Sequence, residues 1–176
     1  MQEINYLDAL RTTHEHLAHG GVFLNIAGET PNTMTIGWAS IGYLWNRPVM
    51  TVLVRPQRHS YAMLKKAGEF TVSVPTRNPL RQELAFAGTQ SGRDVNKFEG
   101  HGLTALPAQQ VGAPIVGECG LHFECRVLLT QDMTGDQLDD SIARQSYPQR
   151  DYHTLFFGEI LRCYTTDEDS FSSINT

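Results

Sequence analysis

The feature that most restricts how this chain folds is the pattern of its apolar runs. Segments 22–27, 34–43, 49–54, 70–74, 121–130 and 154–164 all read as β-strands by composition or alternation. In the fifth of them Leu121, Phe123, Cys125, Val127 and Leu129 fall on one face, and His122, Glu124 and Arg126 on the other. Helical composition is confined to 60–66, 78–87 and a short stretch at 8–13. A βαβ fold needs a crossover helix between successive parallel strands, and too few are present. An antiparallel barrel is the expected closure, because it removes exposed sheet edges. At 176 residues the chain is expected to form one domain over 1–176, large enough for a core without metal or disulfide staples.

Two turns gather positive charge. Arg55 and Arg58 follow the β-branched run that ends at Val54, and Ser60 stands where a helix through Lys65, Lys66 and Gly68 should begin. A helix start with free backbone N–H groups, a capping hydroxyl and two guanidinium forks is a phosphate receptor, and His59 lies in the same turn. Solvated loop arginines beside an ordinary N-cap would look the same. The second turn runs Ser91-Gly92-Arg93-Asp94-Val95-Asn96-Lys97-Phe98, after a helix expected to be capped by Asn78 with Pro79 at its first position. It can present backbone N–H groups and one ammonium, or be plain loop chemistry.

A third segment, Asn32-Thr33-Met34-Thr35-Ile36-Gly37-Trp38, offers amide and hydroxyl groups suited to the polar edge of a flat heterocycle, with Gly37 allowing close backbone approach. Its plainer reading is an edge strand with Trp38 in the core. The residues alone leave a binder of a phosphorylated small molecule.

Other classes fall away. A formal charge of −5 with no basic run argues against nucleic acid as a partner. No apolar run approaches the ~20 residues of a membrane span, and the first residues lack a secretion signal, so a cytoplasmic protein is expected. Cys119, Cys125 and Cys163 lack Cys-x-x-Cys spacing and are expected to be free and buried; His14, His16 and His19 sit near a helix end, and no metal site is expected. A Gly-x-Gly-x-x-Gly nicotinamide fingerprint is absent.

Taken in order, the three segments and the tail Asp151-Tyr152-His153-Thr154-Leu155-Phe156-Phe157-Gly158-Glu159-Ile160 resemble the flavin reductase-like family, the flavoredoxin-type FMN-binding split barrels. The likeness runs over about 21–165, nearly the whole chain. It implies a mainly β fold with a few helices: a six-stranded antiparallel Greek-key barrel, paired as a homodimer with FMN where the subunits meet. By position, Asn32, Thr33, Met34, Thr35 and Trp38 would follow the isoalloxazine and ribityl chain, while Arg55, Arg58, His59, Ser60, Ser91 and Lys97 would hold the phosphate. His153 would stand as the catalytic residue at the open ring face. The implied activity is an oxidoreductase that passes electrons from NADH, NADPH or a redox protein through FMN to a second acceptor. A flavoredoxin-like carrier, a non-catalytic FMN sensor and a cofactor-free structural dimer are the alternatives. The acidic stretch 132–140 is expected to be a loop that lids the site or meets the second subunit.

Overall fold

The computed structural model describes residues 1–166. The strands are β1 (Gln2–Glu3), β2 (Val22–Ile26), β3 (Asn32–Ile36), β4 (Ala39–Leu44), β5 (Arg47–Val54), β6 (Glu69–Val74), β7 (Ala105–Leu106), β8 (Ile115–Val116), β9 (Leu121–Asp132) and β10 (Thr154–Thr165). Four helices accompany them: α1 (Leu10–Ala18), α2 (His59–Ala67), α3 (Arg81–Thr89) and α4 (Asp140–Ser146).

The main sheet is antiparallel throughout, in the order β3-β2-β6-β9-β10-β5-β4 with β1 added to β10. Neighbours out of chain order, β2 beside β6 and β5 beside β10, are the crossed connections of a Greek key. Its two end strands are joined directly through Gly37 and Trp38, so the sheet must curl back on itself. A seam is left where the edge of β3 meets the end of β5.

Alternation places the core. Val22, Leu24, Met34, Met50, Val52, Phe70, Val72, Phe123 and Phe156 all pack in one buried cluster inside the barrel. Phe23, on the other face of β2, packs with Leu84, Ala87, Leu103, Val116 and Cys119 under α3. Gly158 is required by this packing, since a Cβ there would lie 2.6 Å from the Phe70 ring. All three cysteines are buried thiols outside any disulfide.

Five expectations are corrected. The segment 34–43 is two strands: the chain leaves β3 at the seam and then pairs with β5, so its halves lie at opposite ends of the sheet and the strand count exceeds six. Trp38, at that break, is 45% exposed, outside the core. The second helix begins at His59 with Arg58 at the N-cap, because the Ser60 hydroxyl is buried and accepts a hydrogen bond from Asn32 Nδ2 (2.8 Å). The third begins at Arg81 after Leu80, whose φ of 41° marks the turn into the helix, so Asn78 does not cap it. Finally, 132–140 is no simple loop: β9 runs to Asp132, a 3-10 turn covers Gly135–Gln137, and Asp139 caps α4 by accepting from the Ser141 N–H (2.8 Å).

Candidate functional site

Two hollows meet at the seam. One, of about 350 Å³, is lined by Met34, Arg55, Gln57, Arg58, His59, Ser60, Thr89, Gln90, Ser91, Gly92, Arg93 and Lys97 among others. The other, of about 220 Å³, is lined by Met34, Thr35, Ile36, Gly37, Trp38, Leu53, Arg55, Arg58 and His153. Met34, Arg55 and Arg58 border both, so they form one groove with a cationic end and an aromatic end.

The cationic end is built by three elements. The turn after β5 brings Arg58 and His59 to the start of α2, whose N-cap makes no side-chain hydrogen bond; the Tyr61 N–H donates to the Arg58 carbonyl (3.0 Å), which leaves the His59 and Ser60 N–H groups for the hollow. The turn after α3 brings Ser91, Gly92 and Arg93, with Arg93 Nη1 donating to the Gln57 carbonyl (3.3 Å). Lys97 is 3% exposed and ties β3 to α3 by donating from Nζ to the carbonyls of Thr33 and Ala87, both at 2.8 Å. No acidic residue lines this hollow. The consequence is a lowering of the basic groups' pKa values. Burial, with Arg58 adding, pushes Lys97 down to about 8, and burial followed by Arg93 and Lys97 holds His59 below the usual histidine range. Cations packed this way are mutually repulsive until an anion joins them. A Cβ at Gly92 would overlap the Asn32 amide and approach the His59 ring to 2.8 Å, so the bare backbone keeps the cradle open.

At the other end, beyond the shared Arg55 and Arg58, the lining side chains are uncharged. Trp38 and His153 lie with ring centroids 5.0 Å apart, and Tyr147, from the end of α4, is edge-on to Trp38 at 6.1 Å. The Tyr147 hydroxyl meets His153 Nδ1 at 2.8 Å. Burial first, then Arg55, pushes His153 down to about 4, so at neutral pH the ring is uncharged.

Of the residues singled out from sequence, Met34, Thr35, Trp38, Arg55, Arg58, His59, Ser60, Ser91, Lys97 and His153 border the groove. Asn32 stands behind it, holding Ser60. Thr33 is fully buried and its hydroxyl has no partner, while the Thr35 hydroxyl donates to the Leu84 carbonyl (2.6 Å), towards α3. The Arg55 guanidinium is committed to the α4 side: it bonds Asp151, donates to the Ser146 carbonyl (3.0 Å) and lies 5.3 Å from the Tyr147 ring centre. Arg93, Gln57, Thr89 and Gln90 were not singled out. Arg93 had a signal in its Ser-Gly-Arg turn; Tyr147, six residues before His153 and across a helix end, had none.

Larger hollows lie elsewhere. One of about 1160 Å³ between α1 and α3 is lined by Glu15, His16, His19 and Arg81 together with Pro79, Leu84 and Ala85; in one of about 710 Å³ beside α4, Arg144 and Arg150 are matched by Asp136 and Asp140. Neither gathers unpaired cations beside an aromatic pocket.

The family model for the flavin reductase like domain matches residues 16–173. The chain belongs to that family. Within it, an uncharacterised protein of Archaeoglobus fulgidus is 33% identical over 168 residues, covering 96% of this chain and 80% of that protein. Among solved structures, the flavoredoxin of Desulfovibrio vulgaris is 27% identical with a TM-score of 0.65, over 84% of this chain and 69% of that one. The NADH:FAD oxidoreductase of Streptomyces globisporus shares the fold at a TM-score of 0.64 and 18% identity, over 83% and 75%. The flavin reductase-like split barrel anticipated from the ordered motifs is therefore the fold of this chain.

Proposed function

We propose that this flavin reductase-like protein binds FMN along the seam and works as an oxidoreductase, taking electrons from NADH, NADPH or a redox partner and delivering them to a second acceptor. One observation carries the reading: a cation-lined cradle without acidic residues runs, past the shared Arg55 and Arg58, directly into a pocket whose further wall of Trp38, Leu53 and His153 is uncharged. A phosphorylated flat heterocycle has the matching polarity, charged at one end and apolar over the ring.

The residues divide the work. Arg58, Arg93, Lys97, His59 and the start of α2 hold the phosphate, with Gly92 allowing its approach and Ser60 and Ser91 adding hydroxyl donors. Asn32 keeps Ser60 oriented. Met34, Thr35 and Trp38 border the ring, with backbone groups of edge strand β3 within reach of its polar rim. When bound, the flavin supplies the two-electron chemistry, as cofactors do, and the chain supplies binding, orientation and shielding from water.

The same reading includes a second copy of the chain. Leu129 and Phe157 are side by side on the outer face of β9 and β10, Trp45 stands edge-on to Phe157 at 6.2 Å, and Tyr43 and Leu44 are exposed nearby. An aromatic-rich apolar face of this kind is characteristic of the buried centre of a subunit interface.

The test is an absorption spectrum after incubation with FMN at micromolar concentration, then anaerobic addition of NADH and NADPH. A bound yellow chromophore bleached by either nicotinamide is expected; failure to bind FMN removes the assignment. The resemblance to flavoredoxin favours a second reading as an electron carrier, which would bind FMN but bleach only with a reduced redox protein.

A further inference from the structure

We propose that Tyr147 is a positioning residue for the ring pocket, its hydroxyl fixing His153 so that Nδ1 accepts and Nε2–H is the pocket's hydrogen-bond donor. The consequence for function rests on the flavin reading above; the hydrogen-bond geometry does not.

The polarity of the contact follows from the two groups. The phenol O–H and the Nδ1 atom are 2.8 Å apart, and only one of them can supply the proton. Tyr147 is 3% exposed, and its phenol is held protonated above the usual tyrosine range, chiefly by burial. A phenol is a stronger donor than a neutral imidazole N–H, so the O–H points at Nδ1 and the imidazole proton resides on Nε2.

The charges around His153 keep it neutral. Arg55 from the end of β5 and Arg58 from the start of α2 oppose an imidazolium, Asp151 favours one, and burial outweighs Asp151. His153 is thus a fixed donor and no proton source, suited to an uncharged acceptor atom on whatever meets the open face.

The surrounding structure holds this pair in place. After β9 the chain departs through α4 and returns at His153, and beside Tyr147 it is fastened by Arg55 to the Ser146 carbonyl and Asp151, by Gln57 to Asp151 (3.0 Å), and by the Met133 N–H to the His153 carbonyl (3.0 Å). The Arg55 guanidinium also lies over the Tyr147 ring. Rings packed on three sides, by Trp38, Tyr152 and His153, leave Tyr147 no other orientation that keeps these contacts.

The experiment is long-range ¹⁵N–¹H NMR of the histidine rings in the purified protein at pH 7, with the His153 signals assigned by their loss in His153→Gln. A protonated Nε2 with an unprotonated Nδ1 is expected in the wild type. Tyr147→Phe, which keeps the ring and removes the hydroxyl, is expected to give a mixture of tautomers. In the FMN-loaded protein the same variant is expected to lower kcat with NADH or NADPH about 5- to 10-fold, the worth of one hydrogen bond, with FMN affinity unchanged. A wild-type proton on Nδ1, an unaltered tautomer in Tyr147→Phe, or a shifted tautomer with unchanged kcat would each overturn the proposal. Failure to bind FMN would instead remove the functional reading and leave the tautomer result standing.

Discussion

Single residues decide how the groove treats an anion. Arg58 and Arg93 come from different turns and each uses one N–H group on a carbonyl, leaving the rest of the fork for a ligand. Arg58→Ala or Arg93→Ala is expected to weaken FMN binding by about 1–3 kcal/mol, the range of a charge-assisted hydrogen bond, with little change in melting temperature. Flavin fluorescence titration reads this directly, and unchanged affinity in both variants would remove the phosphate assignment. Lys97 adds a pH dependence. With its pKa pushed down to about 8, its positive charge is present below that pH and lost above it, so FMN affinity is expected to fall between pH 7 and 9. Lys97→Arg, which stays charged through this range, should flatten the profile.

Elements carry the next level, because the groove exists only where separate pieces meet. β3 contributes alternate side chains in opposite directions: Met34 packs in the barrel core at the edge of the groove, while on the other face Thr33 is buried and Thr35, at the groove's border, bonds towards α3. That division follows from the period of two in a strand and was legible in the sequence. What was not legible is the break at Gly37 and Trp38, since nothing in the apolar pattern distinguishes one long strand from two that pair at opposite ends of a sheet. The excursion between β9 and β10 is fastened largely by Arg55, so Arg55→Ala is expected to expose residues 140–150 to hydrogen exchange while the barrel strands keep their protection. Equal loss of protection across the barrel would show that Arg55 supports the core instead. Gly158 tests the packing of β10 against β6: Gly158→Ala is expected to cost about 1–3 kcal/mol by overpacking, read as a lowered denaturation midpoint.

At the scale of the whole molecule, protonation and assembly both register the fold. His16, His59 and His153 all have pKa values lowered in the folded state, with His153 at about 4. Between about 6.5 and those lower values the unfolded chain binds protons that the folded chain does not. Stability is therefore expected to be greatest above about pH 6.5 and to fall as pH drops towards 4. Carboxylates held low by partners, Asp151 by Arg55 and Gln57 and Glu159 by Arg126 and Arg47, lose their contribution only at still lower pH. Urea midpoints at pH 7.5 and 5 measure the effect, and His153→Gln should reduce the difference. For assembly, sedimentation is expected to find a dimer that Phe157→Asp splits; a wild-type monomer would sink the shared-face reading.

The sequence by itself determined the local facts: alternation set which strand faces are apolar, β-branched runs set where strands lie, and paired cations at two turns marked a candidate anion site. These depend on neighbours along the chain, whose periods are fixed by backbone geometry. Only the tertiary structure decided which turns meet, that Arg55 turns to Asp151, that Ser60 lies within its helix under Asn32, and that Tyr147 reaches His153. Each of these is a contact between groups brought together by sheet order and a returning loop. Sheet order depends on pairing across long sequence separations, which no local pattern encodes.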